Sequence, residues 1–470
     1  MTAVPLTRAA LAGRDDSVVA APAPVRIVHV GLGHFFRAHQ AWFTGRASDA
    51  AEWGIAAVTG RSTHMAEALD AQDGLFALVE RGPEADRVEI VTSVVEAVPG
   101  TDVARLIELV SHADVAVITL TVTESGYRLR PDGTPDPDDP ELSRDVEALR
   151  RGAGEPVTVP GRLLAALDGR RRADAGPIAI VPCDNIPGNG AFVRHGITTL
   201  AAQVDPRLAD WIAANVSFVS TSVDRITPHT DDAPAVAEAG WIDRAPVVAE
   251  PFADWVLAGD FPAGRPRWES AGARFVDDIE PWEHRKLWLL NGAHSILTFA
   301  GQLRGLETVA EAVADAACRG AVEAFWAEAV QCLPAGTEHD RYREQLLERF
   351  ANPRIVHRLA QIAAESTVKV QFRFAAVAER TVAAGRDPEG SVLALATWIR
   401  WVLAGPGAAD ARAGEVADAA ASSDPVYSLL SLVSRSLARS PEFVDRVRSA
   451  CAALSATDPT PDPALVARAH

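Results

Sequence analysis

The chain has 470 residues, 48% of them hydrophobic and 23% charged, with a formal net charge of −18. That length is long for one core and predicts two domains, and the composition is that of an ordinary globular protein. The negative balance argues against a phosphate-backbone binder, so no nucleic-acid partner is expected, and it fits a soluble, cytoplasmic protein. Four cysteines at 183, 318, 332 and 451 include no CxxC pair. A disulfide scaffold is therefore not expected, and no HExxH or clustered His/Cys/Asp pattern points to a metal. No uncharged apolar run reaches about 18 residues, so no membrane span is expected. The N-terminal stretch, broken by Arg14, Asp15 and Asp16, does not read as a signal peptide.

In chain order, short apolar runs at 25–30, 54–59, 87–92, 115–122, 178–182 and 216–221 predict strands. Helical stretches are predicted between several of them, at 38–50, 101–110 and 189–203. Alternating strands and helices predict a mostly parallel, doubly wound α/β sheet over residues 1–280. The segment RPDGTPDPDDP at 130–140 is a turn-rich surface excursion. Beyond Pro281 the pattern changes to alanine-rich amphipathic stretches. Helices are predicted over 282–303, 306–332, 340–350, 354–364, 392–402, 425–438 and 441–454. Residues 281–470 thus predict a second, mostly α-helical domain.

The first predicted strand runs into GLGHFFRAHQ, from Gly31 to Gln40. Gly31 would permit a tight turn, and Gly33 would allow a pyrophosphate to approach a helix N-terminus, as in dinucleotide-binding folds. Phe36 stands where a third glycine would be, and Phe36 and Arg37 are expected with Gly31 and Gly33 at the cofactor. An acidic residue at the end of the second strand would hold ribose hydroxyls. Here GRSTH, residues 60–64, offers Arg61 instead. Arg61 would meet a 2′-phosphate, stack on adenine, or simply lie solvated in a loop, so both NAD and NADP stay open.

The most informative segment is KLWLLNGAHSILTFA, residues 286–300. Lys286, Asn291 and His294 are costly to bury, yet their neighbours are apolar almost all round. At about 100° per residue, Asn291 lies roughly 140° and His294 roughly 80° from Lys286, which puts all three on one broad helical face. Two readings fit: a solvated polar face, or a cluster in which a desolvated lysine acts as a base near neutral pH. The helix opens the second domain, a position from which side chains reach the ligand sites that often lie between domains.

Four motifs stand in order: GxGxFxRAHQ from Gly31, CDNIPxNG from Cys183, DRITP from Asp224, and K-x4-N-x2-H from Lys286. With these the chain resembles the polyol-specific long-chain dehydrogenases, the mannitol dehydrogenase family, over roughly residues 25–375. The resemblance implies a Rossmann-type first domain, a mostly helical second domain, a nicotinamide cofactor with NAD the family's usual partner, and a metal-independent reaction. By motif it makes Lys286 the catalytic base and Asn185 and Asn291 the carboxamides that hold the substrate oxygen. His294 and Asp224 fall near the substrate, Glu124 in TVTESGY on a proton path to solvent, and Glu283 in the active-site neighbourhood. Taken alone, Asn185 also reads as a turn residue before Pro187, and Asp224 as a helix cap or a partner of Arg225. The chemistry agrees with the motif: oxidising a secondary alcohol needs a base for its proton and donors for the developing alkoxide.

The substrate end departs from the family. Mannitol 2-dehydrogenases carry an RIAHDxSxK-like segment. Here it reads QIAAESTVK, with Lys369 kept, Gln361 in place of the arginine, Ala364 in place of the histidine and Glu365 in place of the aspartate. Gln361 is similar to the fructuronate reductases. A uronate carboxylate would need Lys369 or Arg373, and a neutral polyol would be satisfied by Gln361 and Lys369. The leading expectation is a dehydrogenase interconverting a hexitol or pentitol and its ketose. The alternatives are a fructuronate-type keto-uronate reductase and, more remotely, an inactive sugar- or nucleotide-binding member. A monomer or small homo-oligomer is expected.

Overall fold

The structure is a computed structural model that describes residues 3–14, 21–228, 233–405 and 408–457. Its contacts divide the chain into two compact units, residues 1–280 and 281–470.

The first unit is built on a six-stranded, all-parallel sheet. Its strands are β1 (Val25–Val30), β2 (Gly54–Val58), β3 (Val94–Val98), β4 (Val117–Leu120), β5 (Ile178–Pro182) and β6 (Val216–Phe218). They lie in the order β3-β2-β1-β4-β5-β6, which is that of a Rossmann sheet, with the direction of winding reversing between β1 and β4. The central strands are buried on both faces, so GIAAV, VITL and IAIVP read as continuous apolar runs. Side chains alternate between two cores. Ile27, Ile55, Val117 and Ala179 point to an aromatic-rich layer with Phe43, Trp255 and Trp268. Val28, Val30, Ala56, Ile118 and Ile180 point to the opposite layer with Leu106, Leu163 and Ile197.

Two strand predictions are corrected. The run at 87–92 is a strand but not of the main sheet: in a separate three-stranded sheet Asp86–Val91 pairs antiparallel with Phe76–Arg81, which in turn pairs parallel with Val247–Ala249. The third parallel strand is β3, at the sheet edge, where only Val94 and Val98 are buried and the sequence pattern is weak. The run at 216–221 is two strands. β6 ends the main sheet, and beyond Val219 the chain passes into Ser220–Asp224, antiparallel to Asp254–Ala258. Three unpredicted helices carried a readable start signal, an Asp or Thr cap beside a proline. They are Pro140–Arg151 after Asp139, Val159–Arg172 after Thr158, and Pro206–Asn215 after Asp205.

The second unit is helical. Gly292–Leu303 is buried along almost its whole length, and Ala316–Ala329 and Glu389–Leu403 pack against it. The predicted 306–332 helix is broken at Asp315, whose carboxylate caps Ala316–Ala329, and the 425–438 helix is broken at Ser434, which caps Arg435–Ala438. Of 354–364 only Leu359–Ile362 is helical. Among the described residues, no helix is long and apolar enough to cross a membrane.

Buried Asp145 joins two of the unpredicted helices. It accepts from the backbone of Val157 and Thr158 and from the Thr158 hydroxyl, at 3.0, 2.8 and 2.6 Å. Asp145→Ala leaves these donors unmatched, and urea unfolding is expected to show a loss of about 2–4 kcal/mol, with Asp145→Asn losing clearly less because it keeps one acceptor.

Candidate active site

At the carboxyl end of β1 the chain turns at Gly31, whose φ is +112°. A Cβ there would lie 2.2 Å from the Thr121 carbonyl oxygen, so only glycine fits. Gly33 differs: its backbone is extended (φ −123°), and a Cβ would find only the Gly31 carbonyl oxygen, at 3.6 Å. Neither conformation nor packing within the chain demands glycine at 33. Its missing side chain leaves the turn open to a close-approaching group such as a pyrophosphate.

The turn is held from behind. Thr121 donates its hydroxyl to the Gly31 carbonyl at 2.7 Å, and buried His29 lies 3.1 Å from the same hydroxyl through Nε2 and 2.8 Å from the Thr119 hydroxyl through Nδ1. Because the one Thr121 proton goes to Gly31, Nε2 is the ring donor and Nδ1 accepts from Thr119. Burial lowers the His29 pKa to about 3, so the ring stays neutral. Phe36 stacks on it at 3.6 Å and nearly parallel, which accounts for the aromatic residue in the third glycine's place. The helix after the turn is not continuous, since His34–Ala38 ends and Gln40–Arg46 begins around His39.

Phe36 and Arg37, expected to contact the cofactor, are fully buried behind the turn. Arg37 donates to the backbone carbonyls of Gly33, Ala245 and Pro246, and burial lowers its pKa to about 10. Both residues brace the turn and present no surface to a ligand. Arg61 follows β2 with its side chain 84% exposed and a loose ion pair, 3.6 Å, to Glu141. Beneath it, buried Arg162 reaches the Gly60 carbonyl at 3.5 Å.

At the ends of β4 and β5 two loops are tied together. Glu124 lies exposed in the short turn Glu124–Tyr127, and Asn185 lies exposed in the CDN segment after β5. Buried Tyr127 donates to Asp184 at 2.6 Å, and Asp184 also accepts from the Ile186 amide at 3.2 Å. Burial raises the pKa of Asp184, and burial beside Asp184 raises that of Tyr127. This pair fixes the Glu124 loop to the Asn185 loop, and sequence reading missed it because the partners are 57 residues apart. Asn189 locks the other end of the CDN loop. Its carboxamide donates to the carbonyls of Pro182 and Thr221 and accepts from the Thr221 amide. Asp224 is buried at the end of Ser220–Asp224, opposite Asp254. Its neighbour Arg225 pairs with Glu80 at 2.8 Å.

In the second unit, Lys286–Asn291 is a π-turn set between Glu280–Arg285 and Gly292–Leu303. This corrects the helical geometry expected from sequence. A π-turn advances roughly 80° per residue, which brings Asn291 to within about 50° of Lys286. Three further residues of α-helix return His294 almost in line with Lys286. The triad thus forms a narrow stripe, with Lys286 and Asn291 half-buried and His294 buried. Two side chains donate to carbonyls of the π-turn: the Trp326 indole to Leu289 at 2.8 Å and the Arg373 guanidinium to Asn291 at 2.9 Å.

His294 packs between Phe350 at 4.8 Å and His357 at 5.0 Å. His357, which the sequence reading did not single out, is itself held below its usual pKa by burial. Glu283 is half-buried on the turn before Lys286, while the adjacent Arg285 is buried over the Tyr342 ring.

The segment 361–373 does not present its polar groups uniformly. Gln361 is exposed on Leu359–Ile362. Lys369 folds back onto the carbonyls of Ile362 and Ala364 at 2.9 and 2.5 Å. Burial and the nearby Arg373 charge lower its pKa. Arg373 lies in a second π-turn, Gln371–Ala375. Among the described residues neither cation forms an ion pair with a carboxylate.

The comparisons agree on one family. Residues 25–270 match the mannitol dehydrogenase Rossmann domain and residues 278–455 the mannitol dehydrogenase C-terminal domain. D-arabinitol 4-dehydrogenase of Ralstonia nicotianae is 37% identical, with 78% of this chain and 81% of the relative covered. D-mannonate oxidoreductase of Escherichia coli is 34% identical, covering 80% and 79%. The solved structure of Pseudomonas fluorescens mannitol 2-dehydrogenase in a ternary complex with NAD and D-mannitol superimposes with a TM-score of 0.74 at 30% identity, over 95% of this chain and 94% of that one. A Rossmann sheet with an open glycine turn, followed by a helical unit that carries the Lys286 stripe, is thus found in a chain that belongs to the mannitol dehydrogenase family of oxidoreductases.

Proposed function

We propose that the chain interconverts a sugar alcohol, a hexitol or pentitol, and the corresponding ketose, with NAD or NADP and with Lys286 as the acid–base group. The observation that carries this reading is the π-turn that aligns Lys286, Asn291 and His294. A base and a neutral hydrogen-bond donor on one stripe suit a hydroxyl group that must lose its proton while its oxygen gains charge. In oxidation, the Lys286 amine takes the hydroxyl proton. The carboxamides of Asn185 and Asn291 donate to the oxygen, stabilising its developing charge without adding any of their own. His294, its ring fixed between Phe350 and His357, supplies a further polar contact. Asp224, Glu124 and Glu283 complete the set carried by the family motifs. Bound NAD(P) supplies the hydride acceptor, and Gly31 and Gly33 form the turn open enough to receive its pyrophosphate.

One observation favours a second reading, reduction of a keto-uronate. Lys369 and Arg373 are neighbouring cations that form no ion pair with a carboxylate among the described residues, although the charges of Glu365 and Asp410 act on Lys369, and a substrate carboxylate would neutralise them further. The relatives support both readings, since one is named for D-arabinitol and another for D-mannonate. Assay of hexitols, pentitols and keto-uronates with both cofactors separates them. Turnover of neutral polyols is expected, and activity confined to uronates would replace the first reading by the second.

Lys286→Ala is expected to lower kcat by about 10²–10⁴-fold while leaving NADH binding intact. Wild-type alcohol oxidation should slow as pH falls and the lysine is protonated, and ketose reduction should slow as pH rises and the acid is lost. Intact turnover in the alanine variant would remove Lys286 from the mechanism. Gly33→Ala tests the cofactor turn. The variant should fold with wild-type stability, because its methyl group meets nothing closer than 3.6 Å. NADH titration by fluorescence should nevertheless show about tenfold or greater weakening.

A further inference from the structure

Arg373 is a half-buried cation with an unusual set of partners. Its Nη1 donates to the Asn291 carbonyl oxygen at 2.9 Å and to the Ser295 hydroxyl at 2.7 Å. Among the described residues it pairs with no carboxylate, and burial lowers its pKa to about 10, which leaves it charged near neutral pH. A cation held this way carries an uncompensated desolvation cost unless its hydrogen bonds have a use. Both acceptors lie on the helix that carries Lys286 and His294, one at the last residue of the π-turn and the other one helical turn beyond it. A π-turn is less regular than an α-helix, and where it rejoins the α-ladder its carbonyls are offset from their usual donors. Asn291 is at that junction. Arg373 itself projects from a second π-turn, Gln371–Ala375, which packs against the first.

We propose that Arg373 is a positioning residue. By clamping the Asn291 carbonyl and the Ser295 hydroxyl, it holds the π-turn in the register that lines up the Lys286 amine and the Asn291 carboxamide. The proposal rests on the reading that Lys286 and Asn291 perform the reaction. It gives Arg373 a task separate from binding a substrate carboxylate. Trp326 does the same for the middle of the turn by donating to Leu289. Arg373 adds what an indole cannot, a charged nitrogen that donates to two acceptors at once.

The test compares wild type, Arg373→Ala and Arg373→Lys by steady-state kinetics and by hydrogen exchange. In Arg373→Ala, kcat for the best polyol should fall about 10- to 100-fold, with KM and NADH affinity within about threefold of wild type. Methylguanidinium should restore part of the lost rate, and Arg373→Lys, which keeps the charge but not the planar, longer reach of the guanidinium, should fall between. Backbone exchange over 286–295 should accelerate about tenfold or more while Glu389–Leu403 keeps its protection. A raised KM with unchanged kcat would make Arg373 a substrate contact and overturn the proposal. So would unchanged exchange over 286–295, whichever substrates turn over. A wild-type chain that oxidises no polyol and reduces no keto-uronate would instead sink the functional reading, and the exchange measurement would still decide whether Arg373 clamps the turn.

Discussion

The candidate chemistry of the helical unit depends on one departure from α-helical hydrogen bonding. If Lys286–Asn291 continued as an α-helix, Lys286 and Asn291 would be roughly 140° apart around the axis and could not address one small group. The π-turn brings them close to one line and lets the following α-helix add His294. Such a turn is not favoured locally, so its surroundings must hold it. The Trp326 indole and the Arg373 guanidinium both donate into it, and Gly292–Leu303 beyond it is fixed by burial along almost its whole length. Packing here sets the register, and the register sets the chemistry.

The same logic appears in the Rossmann-type unit on a smaller scale. The groups best placed to meet a ligand, Gly33, Glu124 and Asn185, are held by others that never meet one. His29, Phe36 and Arg37 fix the glycine turn from behind, and burial keeps the imidazole neutral, so that its Nδ1 accepts from Thr119 while its Nε2 donates to Thr121. Tyr127 and Asp184 tie the Glu124 loop to the Asn185 loop. Apart from the stacked Phe36, each support is a polar side chain, buried or half-buried, that hydrogen-bonds to backbone or to other side chains, an arrangement that restrains a loop without blocking its face.

Much of this was legible in the sequence, and what was not has physical causes. The central strands could be read because strands covered on both faces are continuously apolar, and the Lys286 segment because polar groups in an apolar run are costly. Edge strand β3 was missed because only two of its residues are buried. The strand at 216–221 was read as one because a chain that changes sheets at Val219 keeps its apolar pattern while doing so. Arg37 was misjudged because a motif records that a residue accompanies a site without recording which side of the turn it is on. The π-turn left no mark at all: Lys286 and its three leucines are good helix formers, and the donors that stabilise it come from positions 326 and 373. Helical-wheel reasoning assumes a constant rotation per residue and so fails at the one place where the rotation changes.

Lys369 shows how the two cations of the substrate segment divide their work. Its amine is turned onto the carbonyls of Ile362 and Ala364, at the end of the short helix that carries Gln361, and its charge is disfavoured by burial and by Arg373. A lysine so placed stabilises the loop that bears the exposed Gln361, as Arg373 stabilises the turn that bears Asn291. Neither cation needs a substrate carboxylate to account for its position, since backbone carbonyls and a hydroxyl already serve as acceptors. What a carboxylate would add is neutralisation of two like charges, which is favourable but not required for the fold. Gln361, exposed and neutral, has a carboxamide that both donates and accepts.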